Sequence, residues 1–407
     1  MYGRLPFATV DFSRYRLTRL RVVASCAMLL AIAVTVSVMQ FAASKDLILP
    51  AGAVIGGDYL AFYAASHAAA AGEAAAIYDP AAFEALLHEV GPERERYGLT
   101  WQYPPTYFLF LIPLAFIAYA PGYALWTGAT ALGFLAALRS AGLNRLFLFV
   151  IIASPPAFQA VITGQNGFLT AALLAVAALF PDKRPIAAGL AAALLTVKPQ
   201  LGLLIPIAYL AGGCWRAFAA AAAGALALAG LSLSVYGPET WIAFVDGVRG
   251  ASGNLTSGNL PLFKMATPFA GARYAGLPTE AAAVFHGAAA LAAACAVGLV
   301  WRRVKDAELR AAALLAGVFL AAPYAYYYEM VILALPLALV AKRGLEQGWI
   351  RREQVLITAA FLLTMLMPGQ AHKMGVSWGL ITVSIVAAAV VRRIAHEYPE
   401  TFRLRKN

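Results

Sequence analysis

"SPPAFQAVITGQNGFLTAALLAVAALFPDKRPIAAGLAAALLTVKPQLGLLIPI", Ser154 to Ile207, holds three apolar runs separated by two short polar breaks. The runs, near residues 167–181, 185–198 and 199–212, are apolar throughout and read as closely spaced membrane crossings, several of them short. One break carries Lys183 and Arg184. The other carries Lys198, Pro199 and Gln200, and Gln165 and Asn166 stand between two glycines ahead of the first run. The basic break lies between the Gln165–Asn166 and Lys198–Gln200 breaks, so basic and less charged connections alternate along this stretch and point to two faces of a membrane.

On either side of it, further runs lie near 22–41, 120–138, 145–162, 217–236, 281–300, 311–327, 329–341, 353–367 and 376–392, which makes about twelve crossings. The 407-residue chain is 62% hydrophobic and only 13% charged, with a mean hydropathy of +0.73. We therefore expect an all-α polytopic membrane protein forming a single domain over residues 1–407. The first run, Val22 to Phe41, is too long for a signal-peptide core and reads as a retained anchor. Alanine and glycine suit close helix packing in lipid. Cys26, Cys214 and Cys295 all lie in apolar runs and read as small core residues rather than a disulfide or metal set.

The net charge of +11 would suit nucleic acid, but its placement points elsewhere. About 23 of the 31 Lys and Arg fall in the two termini and in the connections after even-numbered crossings, including "WRRVKDAELR" and "AKRGLEQGWIRRE". These regions face the cytoplasm, both termini with them, and no nucleic-acid partner is expected. The remaining loops are mildly acidic. Two long connections, about 42–119 and 237–280, then lie outside. The first contains two amphipathic helical patterns, "LAFYAASHAAAAG" and "PAAFEALLHEVG", and the second reads as a loop rich in Gly, Ser, Asn and Pro. Tyr103 to Tyr119 is apolar enough to span, but a full crossing there would reverse every later loop. A half-helix begun by Pro104 and Pro105 and interrupted by Pro113 resolves the count.

Polar residues cluster at the outer ends of crossings, where an ionisable group is costly and defaults to a functional candidate. They are Asp58 and Tyr59, Gln102 and Tyr103, Gln165 and Asn166, Lys198 and Gln200, Tyr324 to Glu329, and His372 with Lys373. Asp58 could be a general base, an ion ligand, or an N-cap for a helix starting at Tyr59. Gln165 and Asn166 could satisfy helix ends or hold sugar hydroxyls. Lys198 is a lone ammonium against the positive-inside bias, so it wants an anion, phosphate first, with snorkelling to headgroups as the alternative. Tyr324 and Tyr328 are also compatible with an aromatic belt, and His372 with an exposed turn. Asp79 reads as a helix-start residue. His67, His88 and His286 lack metal-ligand spacing. No P-loop, Rossmann fingerprint, G-x-S-x-G, HExxH or Cys-x-x-Cys occurs.

Taken in order, "GGDY", "YPPTYFLFLIPLA", the Ser154–Ile207 stretch and "APYAYYYE" resemble glycosyltransferase family 87 of the GT-C superfamily, over about Gly56 to Pro336. The resemblance implies a GT-C fold and an acidic catalytic base in the first external loop, here Asp58. It also implies a polyprenyl-phosphate sugar donor, with no nucleotide or metal cofactor. By its motifs Gln165 and Asn166 match the family's GQ-N element, and Lys198 with Gln200 its K-P-Q element. Glu329 departs from a position where relatives often carry Asp or a histidine motif. The implied activity is an inverting transfer of a hexose, mannose expected, to an envelope glycolipid or glycan acceptor outside the plasma membrane. Lys198 would hold the donor phosphate, and Tyr59, Gln165, Asn166, Gln200, Tyr324, Tyr328, Glu329 and His372 would hold sugar or acceptor. Two rivals are an ion-coupled transporter or flippase using Asp58, Lys198 and Glu329, and a non-catalytic glycolipid-binding or polymer-export subunit. Against the transporter, the chain shows no inverted halves.

Overall fold

A computed structural model describes residues 19–257, 261–366 and 369–402. The termini expected inside, 1–18 and 403–407, lie outside the described residues. Among the described residues 78% are helical and no strand occurs. Among the described residues four helices are long and apolar enough to cross a membrane: Arg19–Ala42, the part of Trp215–Ser257 up to Gly250, Thr279–Arg303 and Trp378–Glu397. The bent pair Arg145–Ile152 and Pro155–Thr163 makes a fifth if taken as one span. Shorter apolar helices occupy Gly167–Leu179, Pro185–Val197, Pro199–Gly212 and Glu353–Leu366. The long helices carry exposed apolar side chains such as Leu226, Val284 and Leu291, as a lipid-facing surface requires. Cys295 is exposed on one of them, whereas Cys26 and Cys214 are buried; the expectation of a core residue fails at Cys295 because its helix sits at the outside of the bundle.

Two hydrophobic clusters organise the chain. The larger is built on Gly167–Leu179 and Ala307–Ala321, both buried along most of their length. The smaller belongs to the first long connection and is aromatic, joining Phe62, Trp101, Tyr107 and Trp126 edge to face. Helix Tyr59–Ala71 lies inside it, with nine of thirteen residues buried, so it is a core element of this lobe and not an amphipathic surface helix. Helix Pro80–Val90 begins where expected, because the Asp79 carboxylate accepts hydrogen bonds from the Ala81 and Ala82 amides at 3.0 and 2.8 Å. The segment after Pro104 forms short helical turns broken at Pro113, from Pro105 to Phe116.

The second long connection differs from its expected loop. Helix Trp215–Ser257 runs through it with one break at Gly237, whose φ of 78° and ψ of 165° redirect the chain. Pro238 restarts the helix at a position that needs no amide hydrogen, and the apolar residues of "PETWIAFVDGV" outweigh the glycines that follow.

Charges and candidate residues occupy opposite ends of the bundle. Helix Ala307–Ala321 starts at Asp306 and ends just before Tyr324–Glu329, about 22 Å away at 1.5 Å per residue. At the Asp306 end, Arg343 joins Asp306, Glu308 and Glu397, and Lys342 pairs with Glu308 at 2.5 Å. Arg310 pairs there with Asp182. These connections are the ones whose basic residues set the expected inner face.

Candidate active site

The motif "GQNG" is placed by two glycines. Gly164 ends helix Pro155–Thr163 with a φ of 61°, a left-handed turn natural to glycine. Its carbonyl accepts the indole N–H of Trp126 at 3.1 Å. Gly167 lies so close to the chain around Glu329 that a Cβ there would sit 2.5 Å from the Tyr328 carbonyl oxygen. That approach brings the start of helix Gly167–Leu179 against the 3-10 helix Tyr327–Leu333. Gly167→Ala must push the backbones apart. We expect a loss of about 1–3 kcal/mol of stability, read by thermal melting in detergent; unchanged melting would show that the close approach is dispensable.

Within this frame Asp58 meets Gln165. Asp58 stands at the N-cap position of Tyr59–Ala71 in αR geometry and makes no side-chain cap hydrogen bond. Its Oδ2 accepts instead from Gln165 Nε2 at 3.0 Å, 107 residues along the chain, which removes the capping alternative. The Gln165 oxygen accepts from Tyr103 Oη at 3.2 Å and from the Asn166 amide at 3.1 Å, so Gln165 is fixed as a donor toward Asp58. Asn166 Nδ2 donates to Tyr107 Oη at 3.1 Å. Burial pushes the Asp58 carboxyl above the usual carboxylate range, while the Gln165 hydrogen bond and the ammonium groups of Lys264 and Lys198 pull it back. A carboxylate so placed is a proton acceptor with a raised affinity for the proton.

Lys198 is not alone. Pro199 ends the helical run there, and the Lys198 side chain, 5% exposed, points at Glu329, 1% exposed. Nζ lies 2.6 Å from Oε1 of Glu329. The ammonium also lies 5.4 Å from the Tyr103 ring centroid and 5.1 Å from that of Tyr328, within cation–π range. Glu329 Oε2 accepts the Tyr326 amide at 2.7 Å, which fixes the carboxylate from behind. The anion that the sequence demands for Lys198 is therefore present in the chain itself.

Asp58, Gln165, Asn166, Lys198, Tyr328 and Glu329 thus form one connected cluster through Tyr103. Tyr324 adjoins it, close enough to act electrostatically with Lys198 and Glu329. Three expected members lie apart. Tyr59 is fully buried among Tyr63, Tyr119 and Tyr123, its hydroxyl turned to Gly122. Gln200 is half-buried on the turn after Pro199 and joins none of the cluster's hydrogen bonds. His372 is exposed, its ring 4.8 Å from that of Phe263 and its carbonyl accepting from Tyr274 Oη at 3.2 Å. Tyr107, the bridging role of Tyr103, and Lys264 are additions. Lys264 carries the same signal as Lys198, a lysine flanked by apolar residues in a connection that loop charge predicts to lie outside.

A family model described as Glycosyltransferase family 87 matches residues 101–323. That range spans more than half of the chain and includes Gln165, Asn166, Lys198 and Lys264. No curated protein and no solved structure matches the chain.

Proposed function

The chain belongs to glycosyltransferase family 87, and from that membership we propose that it moves a hexose, mannose expected, from a polyprenyl-phosphate donor to a glycolipid or glycan acceptor of the cell envelope. The observation that carries this reading is the pairing of a proton-accepting carboxylate, Asp58 held by Gln165, with ammonium groups acting on it. An acceptor hydroxyl gives its proton to Asp58 as its oxygen attacks the anomeric carbon. The bond from that carbon to the phosphate oxygen breaks, and its electron pair leaves with the phosphate. Attack and departure on opposite faces invert the anomeric centre. In this proposal Lys198, its position set by Glu329, stabilises the negative charge that develops on the leaving phosphate. One carboxylate suffices because a phosphate leaves without the protonation that a glycosidic oxygen needs. In this proposal Gln165, Asn166, Tyr324 and Tyr328 are the polar side chains of the cluster that hold sugar or acceptor hydroxyls.

The proposed arrangement has about twelve crossings in the plasma membrane, both termini inside and the site outside. The separation of the charged Asp306 end from the Asp58 end supports it, through the positive-inside rule. The purified protein in nanodiscs, offered matched polyprenyl-phosphate and nucleotide sugars with acceptor lipid, should use only the former. Transfer from the nucleotide sugars, or from no donor in a full hexose series, refutes the proposal.

A further inference from the structure

We infer that Lys264 is a donor-phosphate residue of this site, the one whose charge allows an anion to enter; the inference rests on the function proposed above. Lys198 and Glu329 are both buried and 2.6 Å apart, so they cancel as seen from outside the cluster. Asp58 is left as an uncompensated carboxylate, and a phosphodiester approaching Lys198 and Asp58 would meet net negative charge. Lys264 reverses that balance. The chain next to it is bridged to the Tyr326 segment that holds Glu329, its ammonium acts electrostatically on Asp58, it is half-buried, and among the described residues it has no carboxylate within ion-pairing distance, only the Phe263 ring at 5.9 Å.

The backbone places Lys264 firmly. Directly after it, Met265 forms an antiparallel bridge with Tyr326, and the Ala266 amide donates to the Ala325 carbonyl at 2.9 Å. Met265, Ala266 and Thr267 are fully buried. The same Tyr326 holds Glu329 through its amide, so the strand-like contact ties Lys264 to the segment that positions Lys198. An ammonium on this segment with no carboxylate partner among the described residues is suited to a phosphate oxygen, whereas the charge of Lys198 is already shared with Glu329.

The test measures binding of decaprenyl monophosphate and of uncharged decaprenol to the full chain in detergent, for the wild type, Lys264→Gln and Lys264→Arg. The wild type should prefer the phosphate about tenfold or more. Lys264→Gln should lose most of that preference with unchanged melting, since the side chain is only half-buried, and Lys264→Arg should retain it. Wild-type preference that persists in Lys264→Gln overturns the assignment while leaving the proposed donor class standing. A wild type with no preference removes the donor class itself. Inorganic phosphate distinguishes the free anion from the lipid-borne one. Competition in the wild type but not in Lys264→Gln supports the assignment for the anion alone, and equal competition in both overturns it.

Discussion

Asp58→Asn should reduce turnover by about 10²- to 10⁴-fold with melting temperature unchanged and donor affinity no weaker than that of the wild type. The substitution is conservative in geometry. An asparagine oxygen still accepts from Gln165 Nε2, the hydrogen bond seen at 3.0 Å in the native protein, so the aromatic lobe and the "GQNG" turn keep their contact. Only the capacity to take a proton is lost. The pH profile makes a second check. The base must be deprotonated to act, so wild-type turnover rises with pH through the Asp58 pKa. Burial holds that pKa above the usual carboxylate range, against the opposing effects of Gln165, Lys264 and Lys198. The acid limb should therefore lie at higher pH than that of an exposed aspartate, and should be missing from the residual activity of the variant. Turnover by Asp58→Asn within twofold of wild type would remove Asp58 from the mechanism.

The largest effect on folding should come from splitting the pair between Lys198 and Glu329. Lys198→Met leaves Glu329 as a buried carboxylate whose remaining partner is the Tyr326 amide. Glu329→Gln leaves a buried ammonium against two aromatic rings. Each single change should cost about 3–5 kcal/mol of stability. The double variant should recover most of it, because the desolvation cost of both charges disappears together. A melting series in one detergent measures this cycle, and single variants each losing less than about 1 kcal/mol would show that the pair is not a buried unit. Activity separates the structural part from the chemical one. The double variant keeps the cluster's net charge, so it should still bind a prenyl phosphate through Lys264, yet transfer slowly for want of the ammonium at the leaving oxygen.

Much of the helical pattern is readable from the apolar runs and helix-start residues. Every apolar run of the Ser154–Ile207 stretch appears as a helix, and Asp79 and Pro105 start the helical segments their chemistry suits. The second long connection misleads because its glycines and prolines are local signals, while helix Trp215–Ser257 needs only one left-handed residue, Gly237, to bend and continue. Tyr59 misleads for a different reason. A tyrosine next to a candidate base looks functional in sequence, but in a helix the neighbouring side chain points about 100° away, here into the aromatic core.

Composition and pattern alone establish that the chain is a helical membrane protein, which residues are polar where lipid would reject them, and which family those residues resemble. Hydropathy and charge are local quantities, summed residue by residue, and they survive without knowledge of contacts. It takes the packed chain to show that Asp58 binds Gln165 rather than capping its helix, that the anion facing Lys198 is Glu329, and that the charge of Lys264 acts electrostatically on Asp58. Those are relations between residues 107, 131 and about 200 positions apart. They follow from helix packing at close approach, above all where Gly167 lets one backbone lie against another.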